Sequence, residues 1–154
     1  MPQQLLLASS ARELAGLVNT VQEAVKQVAE IFDSRFSDLV TNGQAAEYPA
    51  LVERFKPKFA ACSDSLARIA DALASHSGLL ARLVGKVRHE EDRRFELQLE
   101  LQVLRQRCSL LGLDDPDLPE LKTNTDVCQK ALDTCTLGIY EVLEELRCEA
   151  AEEE

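Results

Sequence analysis

The chain has 154 residues and a net charge of -10; it is 45% hydrophobic, 29% charged and only 5% aromatic, with six glycines and five prolines. That size fits one domain around one core, and the shortage of turn formers and aromatics excludes a β-sandwich or barrel in favour of helices. No stretch reaches the roughly 18–20 uncharged apolar residues that span a bilayer. The apolar run from Leu5 to Ala8 is too short for a signal peptide and lacks its basic start, so an intracellular, reducing setting is expected: cytoplasm, cilium or nucleus.

Ser10-Ala11-Arg12-Glu13 has the form of a capping box, which places a helix start at Ser10. Apolar residues follow in steps of four and three at Leu14, Val18, Val21, Val25, Val28, Phe32 and Leu39, with only Arg35 breaking the series, and Thr41-Asn42-Gly43 supplies a left-handed stop. This first helix is expected over about 10–42. A second, over about 49–75, opens with Pro49 in its first turn and carries the seam Val52, Phe55, Phe59, Cys62, Leu66, Ile69 and Leu73. Pro57 lies within it but off the seam, which predicts a kink toward solvent or a break near Lys56.

The third helix, about 79–111, would be about 50 Å long at 1.5 Å per residue, so part of it should project beyond a compact core. Its seam runs Leu80, Leu83, Val87, then Glu90 and Arg94 where apolar residues are due, then Leu97, Leu101, Leu104, Cys108 and Leu111. The run Arg88 to Arg94 is charged all round and is expected to bury on no side. Phe95, Leu97, Leu99, Leu101 and Val103 alternate with polar residues as a strand would. The flanks keep helical phase, however, and the intervening Glu and Gln favour helix. As a helix, this segment has two stripes, and Phe95, Leu99 and Val103 form the one turned away from the main seam.

Gly112 to Pro119 reads as a linker (about 112–118) before a fourth helix, about 119–150, with the seam Leu121, Thr125, Cys128, Leu132, Cys135, Ile139, Val142 and Leu146 and an acidic tail at 150–154. The expected architecture is therefore all-α: one domain, 1–154, forming an elongated antiparallel bundle or coiled coil of four main helices.

Motifs for chemistry are missing. His89-Glu90-Glu91 resembles the start of a zinc-protease helix, but Arg93 stands where the second His is needed. There is no Glu-x-x-His pair for a di-metal bundle and no phosphate loop. Cys62, Cys108, Cys128 and Cys135 fall on seams, where Cys packs as a small hydrophobe; Cys148 is off the seam and free for a regulatory disulfide. Charge is uneven: from Cys108 onward thirteen acidic side chains face three basic ones, whereas residues 52–107 carry eleven basic and eight acidic. An acidic chain with no aromatic stacking platform repels nucleic acid, although the basic middle leaves a nucleic-acid contact as the competing reading.

Arg12-Glu13-Leu14, Gln22, Gly43, Tyr48-Pro49, Phe59 and Ser63, together with Ile139-Tyr140-Glu141-Val142-Leu143-Glu144-Glu145-Leu146-Arg147, resemble the required-for-excision family of small helical DNA-repair proteins. The resemblance implies a link to nucleotide excision repair without catalytic residues. The general look is also similar to that of small acidic subunits of ciliary axonemes. Together these readings point to a non-catalytic structural or adaptor subunit that binds other protein chains by helix–helix contacts. No cofactor, metal, membrane or small-molecule substrate is expected. Its expected partner face is on the third helix: Phe95, Leu99 and Val103 as apolar anchors, flanked by Arg93, Arg94, Arg105 and Arg107.

Overall fold

The computed structural model describes residues 9–153. Within them run four long helices, α1 (Ala11–Thr41), α2 (Tyr48–Leu73), α3 (Gly78–Leu110) and α4 (Leu118–Ala151), with a 3-10 turn at Ala45–Glu47. No strand occurs among the described residues, and Phe95 to Val103 is helix. The run Leu5 to Ala8 and the final Glu154 lie outside the described residues. No described helix is long and apolar enough to cross a membrane.

The ends of α1 follow from local chemistry. The Ser10 hydroxyl accepts the Glu13 N–H at 3.2 Å while the Glu13 carboxylate accepts the Ser10 N–H at 3.2 Å, the reciprocal pair that fills two open donors. At the other end Gly43 adopts φ 68. There Gln44 N–H reaches Leu39 O at 2.8 Å and Gly43 N–H reaches Val40 O at 3.3 Å, the paired bonds of a Schellman stop. Ser77 caps α3 by accepting the Leu80 N–H.

The break allowed for near Pro57 does not occur, since α2 is one helix from Tyr48 to Leu73. Pro57 is exposed, and so is Glu53, whose carbonyl loses its helical donor to the ring. Phe55, buried, and Phe59, half-buried, hold the chain on either side.

Each helix packs antiparallel, chiefly on the next one in sequence. At one end all four meet: the first half of α1, the second half of α2, the start of α3 and the end of α4 bury Leu14, Val18, Leu66, Ile69, Leu80, Val84, Val87 and Leu146 together. Arg12 closes this end by donating to Ala151 O at 2.7 Å. The second cluster draws only on α1, α2 and α3, and it gathers all five phenylalanines with Tyr48. Phe32 stacks on Phe55 at 5.1 Å between ring centres, Phe59 on Phe95 at 4.2 Å, and Phe36 meets Tyr48 edge-on at 5.7 Å.

Tyr48, the first residue of α2, donates to Gln102 of α3 at 2.9 Å. Residues 103–110 continue α3 for about 12 Å beyond this bond at 1.5 Å per residue, and there Arg105 and Cys108 reach Gln129 and Thr125 of α4.

An interior proline costs a helix about 3 kcal/mol relative to alanine. Pro57→Ala should raise stability by about 1–3 kcal/mol in urea unfolding with an unchanged m-value. An unchanged or lowered midpoint would contradict a continuous α2 strained at this point.

Candidate functional site

Between the two clusters α3 passes through a polar layer. Glu91 is only 8% exposed although it lies in the most charged run of the sequence. Its carboxylate accepts Gln22 Nε2 of α1 at 3.0 Å and sits 2.7 and 2.9 Å from the Arg94 guanidinium one turn on. Burial pushes the Glu91 carboxyl above its ordinary value, against the opposing pull of Arg94 and Gln22. Arg88, half-buried, donates to Ser63 of α2 at 3.0 Å. Cys135 of α4 donates to the Glu90 carbonyl at 3.3 Å and lies 3.4 Å from the Glu90 carboxylate. Burial and the Glu90 contacts raise the Cys135 thiol to about 11, so it stays protonated and inert at neutral pH. Cys128 likewise donates to Leu97 O, at 3.6 Å.

Beyond this layer α1 and α4 separate. Phe95 and Leu99 pack toward α1 and α2, whereas the Leu97 carbonyl accepts from Cys128 of α4, so the two outer helices meet α3 on different sides. An open groove of about 650 Å³ is left between them. Its α1 wall presents Glu23, Lys26, Ala29, Glu30 and Asp33; its α4 wall presents Leu132, Thr136, Tyr140 and Leu143. Leu101 and Ile139 lie at the bottom with Arg94, and Gln98 ties the floor to α1 through Ala29 O at 3.4 Å. Tyr140 is 60% exposed on the rim. One apolar wall, one charged wall and an open top suit one face of a helix.

The residues expected to form the partner face do not stay together. Phe95 and Leu99 are half-buried against the aromatic cluster and line a cleft of about 480 Å³ with Phe59 and Arg88. Folding back at 42–47 brings Phe32 opposite Phe55 and Phe59 and Phe36 opposite Tyr48, and folding back at 74–77 brings Phe59 opposite Phe95, so the Phe95 end of the second stripe has a neighbour within the chain. Arg94 is engaged by Glu91, while Arg93 is exposed. Val103, Arg105 and Arg107 are exposed toward the C-terminal end of α3, where Arg105 donates to Gln129 at 3.0 Å. The expectation that no side of Arg88 to Arg94 would bury is also corrected. Glu91 goes inside because Arg94 neutralises it and Gln22 arrives from α1; Glu90 is half-buried against Cys135.

Sequence reading missed the groove itself, for which the signal was present in the two diverging stripes of the third helix. Within the basic block Arg88 and Arg105 are hydrogen-bonded to Ser63 and Gln129, Arg94 is ion-paired, and Lys86 and Arg93 share a cleft with Glu141 and Glu145 of α4.

The profile of the DNA repair REX1-B family matches residues 13–105, more than half of the chain. The match covers α1, α2 and α3 as far as Arg105, and so takes in the Phe cluster and the polar layer; Ile139 to Arg147 lies outside it. No curated protein and no solved structure matches the chain.

Phe95→Ala should cost about 2–4 kcal/mol of folding stability, as removal of a packed ring does, measured by urea unfolding. A loss within about 0.5 kcal/mol, the range of ordinary surface changes, would mean Phe95 is outside the core.

Glu91 yields a second outcome. A carboxyl whose folded pKa is raised contributes stability below its ordinary value of 4.5 and loses that contribution as pH rises through the folded value. The stability of Glu91→Gln relative to the native chain should therefore increase as pH is raised from about 4.5 toward neutrality. A difference that shrank over that range would show that pairing with Arg94 outweighs burial.

Proposed function

We propose that this chain, which belongs to the DNA repair REX1-B family, is a non-catalytic adaptor in DNA repair that holds a helix of a partner protein in the α1–α3–α4 groove. The observation that carries this reading is the splay of α1 from α4: it leaves an apolar wall with the largely exposed Tyr140 at its rim, facing a charged wall on a rigid three-helix base. Such a surface recognises side chains presented by a helix.

The chemistry of the buried groups supports binding rather than catalysis. Glu91 is held by Arg94 and Gln22, and the thiols of Cys128 and Cys135 are committed to backbone carbonyls of α3. Family membership favours the repair setting over the axonemal one. The engagement of Arg88, Arg94 and Arg105 within the chain, and the acids beside Lys86 and Arg93, favour a link to DNA made through the partner protein rather than by direct contact.

Tyr140→Glu and Thr136→Arg change the groove at an exposed and a half-buried position, and Leu137→Glu changes an exposed α4 position that does not line it. Chains that co-purify with the native protein should be lost with both groove variants and kept with Leu137→Glu, while all three retain native helicity. Retention of every partner by both groove variants would contradict the proposal. So would salt-dependent duplex binding that disappears on changing Arg93 and Arg107 to Glu.

A further inference from the structure

We infer that the helix this groove accepts is amphipathic with a basic edge, its apolar stripe on the α4 wall and its cations along α1; the inference rests on the groove being the docking site. The two walls differ in kind. The α4 side offers Leu132, Tyr140 and Leu143, with Ile139 and Leu101 beneath, and no charge. The α1 side offers Glu23, Glu30 and Asp33, and none of these makes an ion pair among the described residues. Their negative charge is therefore directed into the groove rather than cancelled locally.

Of the cations that line the groove besides Lys26, Arg94, at the floor, is neutralised by Glu91, while Arg105 keeps its charge and is turned to Gln129 of α4. Only Lys26 interrupts the acidic wall. Low-dielectric walls on the α4 side concentrate the field of the α1 carboxylates, and a partner that covered them with apolar or acidic groups would leave carboxylates desolvated and unpaired. Rejection of acidic helices is thus built into the same surface that attracts basic ones.

Spacing fixes the pattern further. Glu23 and Glu30 are two helical turns apart, about 10.5 Å at 1.5 Å per residue, so a helix lying along α1 matches them with cations seven residues apart. The residue between those cations, opposite Lys26, is neutral or acidic. A helix is 10–12 Å across with its side chains, so a groove of about 650 Å³ takes one face of it and leaves the rest in water.

Two labelled helical peptides test this against the full chain by fluorescence anisotropy. Both carry the same Leu stripe; one has Lys at the seven-residue spacing and the other Glu. The Lys peptide should bind about tenfold more tightly or better, a difference of about 1.4 kcal/mol, and added salt should erode its advantage. The double variant Glu30→Lys with Asp33→Lys, at an exposed and a half-exposed position, should invert the preference with its thermal melt preserved. Tyr140→Glu should weaken both peptides.

Equal or tighter binding of the Glu peptide, still sensitive to Tyr140→Glu, would overturn the basic-edge inference and leave the groove as the docking site. Lys-peptide binding that ignores Tyr140→Glu would reduce the effect to general attraction by an acidic chain and overturn it too. Binding of neither peptide would remove the groove reading and this inference together.

Discussion

The rest of the architecture depends on α3 having one apolar stripe before Glu91 and two after it. Up to Val87 a single stripe of Leu80, Leu83, Val84 and Val87 is enough to gather all four helices around one core. Past the polar layer, Phe95 and Leu99 pack toward α1 and α2 while the Leu97 carbonyl meets Cys128 of α4. A helix with two faces to bury needs two separate neighbours, and keeping those neighbours apart opens the groove. The site thus follows from a change of pattern along one helix and needs no specialised loop.

The polar layer where the pattern changes is costly to build. A carboxylate that is 8% exposed is tolerated because Arg94 and Gln22 both reach it, and even so its protonated form is favoured relative to an exposed acid. What such a layer contributes is register. A one-turn slip of α1 on α3 would leave Glu91 without Gln22 and set Phe32 out of reach of Phe55 and Phe95, so the polar layer and the aromatic cluster specify the same alignment.

Helix existence was legible in the sequence because it rests on local rules. The Ser10 capping box, the Gly43 stop and the three-four spacing of apolar residues all act within one or two turns of chain, and each reappears in the fold. The outcome at Pro57 was not legible, because whether an interior proline breaks a helix depends on what clamps its flanks, here Phe55 and Phe59. The fate of Phe95 and Glu91 was hidden for a related reason. Each is decided by residues tens of positions away in α1, α2 and α4, and no periodicity within α3 reports them. The groove was half legible: two diverging stripes announced a second neighbour, and only tertiary packing shows it to be the chain itself, with the vacancy displaced to the space between α1 and α4.

In the adaptor role proposed above, the chain would work by rigidity, its two packed clusters fixing the walls before a partner arrives and sparing the ordering cost at binding. The most direct measurement of that geometry is a pair of spin-label distances between α1 and α4. One pair is placed at Gly16 and Arg147 near the closed end, the other at Glu30 and Asp133 across the groove; all four positions are exposed. The separation across the groove should exceed that at the closed end and be narrowly distributed. Equal separations, with α1 and α4 in contact along their length, would contradict the account.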